Sequence, residues 1–262
     1  MKLSLHIALN RVNPAAYGGW KGVLAGCHND ADAMLAIANS RGAQSYMLLD
    51  EEATLRRVVD AFHLLSLHSN PGDTVMITYS GHGGQVYDRN QDESDGFDET
   101  WCLYDAQLID DDITRMLAAF KKGVQVIVVS DSCHSGTVTK ASFQAEQASM
   151  IGGRRIKSAP SAACRIAKNS GSILGTAEAK IPRQKATILL LGGCQDNQFS
   201  YDGEVNGLFT SKLLHVWGAG QFTGNYREFR KAIVKLMPPE QTPSIHIMGG
   251  KDKAFESGPV FQ

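Results

Sequence analysis

The chain carries almost no net charge, has no cysteine pair at metal-binding spacing and has no long apolar run. Lys and Arg total 26 against 27 Asp and Glu, a formal charge of −1. A non-specific nucleic-acid binder needs a basic surface to displace counterions from phosphates, so no nucleic-acid partner is expected. The cysteines are 27, 102, 133, 164 and 194, an odd number with no CxxC spacing. That excludes a zinc ribbon and a disulfide framework, and it fits a reducing compartment. The first residues, MKLSLHIALNRV, hold one Lys and a short apolar run interrupted by His6 and Asn10. This is too short and polar for a secretion signal or a membrane span. The expectation is a cytoplasmic protein, read here as a monomer, without a membrane partner. No internal repeat is present, and 262 residues with 43% hydrophobic content suffice for one large α/β domain.

The most informative stretch is VQVIVVSDSCHSG, Val124 to Gly136. Five β-branched residues between Val124 and Val129 read as a strand buried on both faces, the pattern of a central parallel strand. Asp131, Ser132, Cys133 and His134 then emerge at its carboxyl end, where open α/β sheets bind their ligands. An isolated cysteine is usually an inert buried thiol. Cys133 is set apart by its position and by a second strand of the same design. Asp73 to Ser80, DTVMITYS, runs into Gly81-His82-Gly83-Gly84. Cys133 and His82 at parallel strand ends can be neighbours, as a thiol and its base must be. The surrounding glycines let backbone N–H groups approach a substrate oxygen.

Elsewhere strands and helices alternate, which favours one α/β sandwich. Leu3 to Leu9 and Ser45 to Leu49 read as strands, and Thr54 to His68 as an amphipathic helix. GCHNDA at 26 to 31 opens a helix that Asn29 or Asp30 can cap. Residues 88 to 112 hold ten acidic residues against one Arg, before a helix expected from Ile113 to Lys121. An acidic run of this kind is commonly a solvated surface, and it lacks EF-hand spacing. From Thr137 to Lys185 periodicity weakens, and nine Lys or Arg residues occur with little acid. This reads as a mobile basic linker between a large part, 1–136, and a small part, 186–262. A protease would nick such a linker readily, with Arg154-Arg155-Ile156-Lys157, which follows two glycines, the preferred site and Lys180 to Lys185 the second. Beyond it come the strand Ala186 to Leu191, helices near Gly207 to Trp217 and Asn225 to Leu236, and a last strand at Ser244 to Met248.

YSGHGG at 79 to 84 together with DSCHSG at 131 to 136 resembles the His and Cys motifs of metacaspases and orthocaspases, the caspase-like cysteine peptidases. GCHNDA, DGFDET at 95 to 100, IDDD at 109 to 112, GGCQDNQFSYD at 192 to 202 and GLFTSKLL at 207 to 214 resemble further segments in the same order. The resemblance spans nearly the whole chain. It implies a caspase-haemoglobinase fold, a three-layer α/β sandwich on a six-stranded, mostly parallel sheet. It further implies Cys133 as nucleophile, His82 as general base and acid, and the N–H groups of Gly83 and Cys133 as oxyanion donors. Cys27, Asp30, Ser80 and Asp131 match the pocket that accepts Arg or Lys before the scissile bond. Physically, two carboxylates beside one pocket attract a cation. The segment around Cys133 departs from QAC[RQG]G, which argues against cleavage after Asp. Asp98, Asp110 and Asp111 match calcium ligands of the family. A further acidic ligand is Lys140 here, so calcium is a possible ligand that the chemistry does not require. Cys194 and Asp196 fall in a segment that resembles a substrate-side loop.

The expected activity is thus a cysteine endopeptidase acting on polypeptides after Arg or Lys. Two other readings keep the fold: a binding scaffold with vestigial Cys133 and His82, or a thiol amidase acting on a small amide.

Overall fold

The structure is a computed structural model, and it describes residues 1–88, 96–133, 150–151, 154–169, 182–195 and 198–262. Six strands form the central sheet: β1 (Lys2–Ala8), β2 (Gln44–Leu49), β3 (Thr74–Ser80), β7 (Gln125–Asp131), β10 (Thr187–Gly192) and β11 (Ser244–Gly249), in the order β11-β10-β7-β3-β1-β2. All neighbours are parallel except β10 and β11. The α/β sandwich expected from the alternating pattern is therefore present.

Alternation along each strand places successive side chains on opposite faces, and both faces are covered. On one side, Leu5, Ile7, Val75, Ile77, Val126, Val128 and Ile188 pack with Val58 and Phe62 of helix α2 (Leu55–His68) and Leu117 of α3 (Asp110–Leu117). On the other, Met76, Ile127, Val129, Leu189 and Leu191 meet Met34 and Ile37 of α1 (Cys27–Ser40). Phe209 and Leu213 of α5 (Leu208–Trp217) and Phe229 and Ile233 of α6 (Tyr226–Val234) complete that layer. Each fully buried side chain of this kind contributes about 1.5–3 kcal/mol, so the strand ends are fixed on a rigid base.

Several local expectations change. Asp30 does not cap α1: Gly26 occupies that position without a side-chain cap, and Asp30 lies in the first turn, with its carboxylate engaged elsewhere. Gly83 and Gly84, which follow β3, begin a further strand that no periodicity announced, β4 (Gly83–Tyr87) of a small antiparallel sheet with β5 (Phe97–Cys102) and β6 (Gln107–Ile109). Helix α3 starts at Asp110, because the three acids Asp110 to Asp112 suit the positive end of a helix dipole.

The largest change concerns the basic segment. Strands β8 (Met150–Ile151) and β9 (Arg154–Arg155) pair, and α4 (Ser161–Ile166) packs with β4. Ala163 and Ala167 join the main core, and Cys164 is buried. Residues 154–169 are thus built into the molecule, where a mobile linker was expected. Lys140 and the 170–181 stretch lie outside the described residues.

Candidate active site

β3 and β7 are adjacent and parallel, with Ser80 registered opposite Asp131. The chain beyond β3 therefore delivers His82, and the chain beyond β7 delivers Cys133, to one edge of the sheet. Gly83 comes so close to Cys133 that a Cβ at this position would overlap the Cys133 carbonyl oxygen. Only glycine allows the two strand ends to meet in this way.

Between them lies a segment of the chain itself. The carbonyl oxygen of Lys157 accepts from Gly83 N–H at 2.8 Å and from Cys133 N–H at 3.2 Å. Lys157 N–H donates to the Ser200 carbonyl at 2.9 Å, and Asp202 N–H donates to the Arg155 carbonyl at 2.8 Å. Ile156 bridges Tyr201 antiparallel, and Ser158 bridges Gly83 in parallel. Residues 155 to 158 therefore lie extended across the edge, with the Lys157–Ser158 peptide at the strand ends that carry His82 and Cys133.

The Lys157 side chain is completely buried. Its Nζ lies 3.0 Å from Asp30 Oδ2, 2.9 Å from Ser80 Oγ and 3.2 Å from Asp131 Oδ2. Cys27 and Asp202 are close enough to feel its charge. All four residues assigned to the pocket from sequence, Cys27, Asp30, Ser80 and Asp131, thus surround one ammonium. Burial opposes the charge on Lys157, but Asp131 and Asp30 outweigh it and hold the group well above its usual range. Burial, reinforced by Asp131, pushes the Asp30 carboxyl up against the pull of Lys157.

The rest of the pocket was not legible in the sequence. Asp131 accepts from Ser200 Oγ at 2.6 Å and from Thr210 Oγ1 at 2.7 Å, and Asp30 from Asn206 Nδ2 at 3.0 Å and Gly207 N–H at 2.9 Å. Gln241 Nε2 braces Ser200 Oγ at 3.0 Å. These hydrogen bonds fix the orientation of the two buried carboxylates towards the Lys157 ammonium. A Cβ on Gly207 would collide with Asp131 and with the Lys157 ammonium, so this glycine forms one wall of the pocket.

His82 is buried, and neither ring nitrogen makes a hydrogen bond of good geometry among the described residues. Burial lowers its pKa to about 3, opposed slightly by the backbone of Gly22 and Ser158 nearby. The Trp20 ring stands edge-on to the imidazole with centroids 4.7 Å apart. The Cys133 thiol is held by Ser200, whose N–H donates to Sγ at 2.6 Å. Burial, and then the neighbouring Cys194, raise the Cys133 pKa well above the usual thiol range. Both groups are therefore neutral while the segment is docked. Cys194 donates to the Ser132 carbonyl at 3.4 Å, which places it behind the Cys133 turn. His134 and Asp196 lie outside the described residues.

The three residues matched to calcium ligands lie close enough for Asp98 and Asp111 to act on the charge of Asp110. Asp98 sits on β5 and Asp110 opens α3; burial and then Glu99 and Asp98 raise Asp110 to about 8. Asp111 also pairs with Arg115 at 3.1 Å. Among the described residues no group of three or more His, Cys, Asp or Glu side chains could hold a metal ion. Nor is any helix among them long and apolar enough to cross a membrane.

Comparison with known proteins agrees with this geometry. Residues 7–253 match the caspase domain of the peptidase C14 family. Metacaspase-1A of Aspergillus clavatus is 27% identical over 236 residues, covering 75% of this chain and 54% of that protein. Metacaspase-2 of Arabidopsis thaliana is 36% identical over 138 residues, covering 47% of this chain and 33% of that one. The chain thus spans about half or less of the length of these relatives. A Geobacter sulfurreducens protein of known crystal structure superposes with a TM-score of 0.86 at 43% identity, over 99% of this chain and 98% of that one. Caspase-1 of Spodoptera frugiperda gives 0.54 at 10% identity over 95% and 86%, a likeness of fold. With its six-stranded caspase-type sheet and a family match over nearly its full length, the chain belongs to the caspase-domain family of cysteine peptidases.

Proposed function

We propose that this protein is a cysteine endopeptidase that hydrolyses peptide bonds after Lys or Arg, and that its own Lys157–Ser158 bond is one substrate. The observation that carries the proposal is the pose of Lys157. Its ammonium lies between Asp30 and Asp131 while its carbonyl oxygen accepts from two N–H groups beside Cys133. A guanidinium has the same charge and a longer reach, so Arg suits the same pair of carboxylates.

In this reading His82 removes the Cys133 proton as Sγ adds to the Lys157 carbonyl carbon. Negative charge gathers on the carbonyl oxygen, where the Gly83 and Cys133 N–H groups already point. One such donor contributes about 2.7–4 kcal/mol to the transition state. The Lys157–Ser158 C–N bond breaks as His82 returns the proton to the Ser158 nitrogen. Water, deprotonated by His82, then releases the acyl group from Cys133. A neutral thiol and a neutral imidazole are suitable starting forms for proton transfer that is concerted with attack.

None of these steps uses a metal, and no cofactor is proposed for the chemistry. For calcium, Asp110 is repelled by Glu99, Asp98 and Asp111, a repulsion that a divalent cation relieves, so a response to calcium is proposed to act through α3 and β5 and not on the reacting atoms. The protein is further read as a cytoplasmic monomer, with which its five free thiols agree.

Incubating wild type beside the Cys133→Ala variant and weighing the fragments tests the reading. A cut after Lys157 in wild type alone, with reporter cleavage after Arg and Lys but not Asp, is expected. A wild-type chain that stays intact and gains no heavy oxygen from water at Lys157 while cleaving Arg reporters would overturn the self-substrate. Activity on Asp reporters alone would overturn the pocket.

A further inference from the structure

We propose that this cut is reversible on the enzyme: the half of the segment that follows it stays seated, and its new α-amine re-forms the Lys157–Ser158 bond. The inference rests on the proposed cleavage by Cys133. A departing product would leave only the pocket side occupied, but both halves are anchored here.

After the scissile bond, Ala159 N–H donates to the Gly83 carbonyl at 2.7 Å. Gln107 Nε2 donates to the Cys164 carbonyl at 2.8 Å, Gln107 N–H donates to the Lys168 carbonyl at 2.8 Å, and Asn169 bridges Gln107. Cys164 is so close to β4 that a Cβ on Gly84 would lie 2.7 Å from its Sγ. Ala163 and Ala167 are part of the main core, and the Ile166 side chain reaches Gly18. Ahead of the bond, Arg155, Ile156 and Lys157 keep their backbone contacts to Ser200, Tyr201 and Asp202, and Lys157 keeps its ion pairs. None of these contacts needs the Lys157–Ser158 bond.

Breaking the bond therefore releases neither fragment at once, and until a competing reporter displaces the segment the usual entropic gain of hydrolysis is withheld. The Ser158 amine remains beside the acyl group on Cys133, at an effective concentration that in well-oriented intramolecular reactions reaches about 10⁵–10⁸ M. Water has poor access, because His82 and Cys133 are buried and Trp20 packs edge-on against the imidazole. The return step balances. The amine nitrogen attacks the thioester carbon, His82 takes the proton that nitrogen sheds, the C–S bond breaks and the Cys133 sulfur recovers that proton. From the hydrolysed form, Cys133 first re-forms the thioester with the Lys157 carboxyl group, releasing one water.

The full-length protein is incubated in water enriched in heavy oxygen and then digested at glutamate. Cleavage after Glu146 and Glu178 yields a peptide that still spans an uncut Lys157–Ser158 bond. Heavy oxygen enters the Lys157 carbonyl of that peptide only if the bond has been hydrolysed and made again. The expected result is label in the intact spanning peptide of wild type, rising from none towards the level in the cut chain, and none in Cys133→Ala. Label confined to the free Lys157 carboxylate, with an unlabelled spanning peptide, overturns re-formation and leaves the cleavage standing. A chain that is neither cut nor labelled overturns both.

Discussion

Replacing Lys157 by Met keeps the length of the side chain and removes its charge, which leaves Asp30 and Asp131 facing each other in a buried pocket. The two carboxylates accept from Ser80, Ser200, Thr210, Asn206 and Gly207, but the cation between them is gone. Removing one partner of a buried ion pair costs about 3–5 kcal/mol. For a chain of this size, about 2–4 °C of melting temperature accompanies each kcal/mol, so the loss is on the order of 10 °C. The measurement belongs in a Cys133→Ala background, where the chain stays uncut, with the thermal midpoint read with and without benzamidine, a free cation of arginine-like shape. Benzamidine at 100 times its Kd restores about 2.7 kcal/mol to the Lys157→Met variant by displacing the uncharged side chain from the two carboxylates. It leaves the parent unmoved, because there the pocket is occupied. Lys157→Arg should behave like the parent. Equal melting of the Lys157→Met variant and its parent, or an equal benzamidine shift in both, would refute the ion-paired pocket.

Other outcomes follow from the same geometry. Cys133→Ala should abolish peptidase activity with the fold intact by circular dichroism, and His82→Ala should lower kcat/KM about 10²–10⁴-fold; a His82→Ala variant with half of wild-type activity would remove it from the mechanism. Asp131→Ala should lose Arg reporters selectively, and the pocket assignment fails if that variant still prefers Arg to norleucine as strongly as wild type. Gly207→Ala should raise KM for Lys and Arg reporters without loss of folding, because the new methyl group occupies the space of the substrate cation. Burial holds His82 at about 3 and His6 at about 4, below the 6.5 of a free imidazole. Both therefore bind fewer protons when folded, so their contribution to stability is complete above about pH 6.5 and is lost as pH falls towards 4 and 3. Denaturant titrations should show a slope of about 1.4 kcal/mol per pH unit for each group between those limits, and His6→Gln should remove one share.

What could be read from sequence was what repeats or punctuates. The β-branched run at Val124 to Val129 and the run at Thr74 to Ser80 are buried on both faces, so their composition announces central strands, and a reactive side chain just past each end needs no further context. Asp131 was readable as a neighbour of Cys133 because two residues along an extended chain return to the same side. Asp30 was legible in identity but not in local role. An acid in the first turn of a helix is usually a cap, yet here the helix starts from Gly26 and the carboxylate reaches across to Gly207 and Lys157. Ser200, Asn206, Thr210 and Gln241 lie 69 or more residues beyond Asp131. Only the fold links Ser200 and Thr210 to Asp131, Gln241 to Ser200, and Asn206 to Asp30; Ser200 and Thr210 fall in segments that resemble the family, but nothing in those segments marks them as pocket residues.

Lys157 shows why composition misled for the segment around it. A chain held the way a substrate is held is fixed by backbone hydrogen bonds to its groove and by one anchoring side chain, so it needs neither alternating nor helical apolar spacing. Helix α4 buries alanines, which add little to a hydrophobic pattern, and its six residues are too few for a period to emerge. Low periodicity therefore describes two physical states, a solvated linker and a docked peptide, and only a receptor elsewhere in the chain separates them. That receptor was half visible as two acids near a cysteine, and nine basic residues were available to fill it. The choice of Lys157 rests on register. The pocket lies beneath Asp131 and the two N–H donors sit at Gly83 and Cys133, so one residue must reach both with its side chain and its own carbonyl. Moving the segment by one residue would put Ile156 or Ser158 against the carboxylates, leaving them without a cation, which is why a single lysine is selected from so basic a stretch.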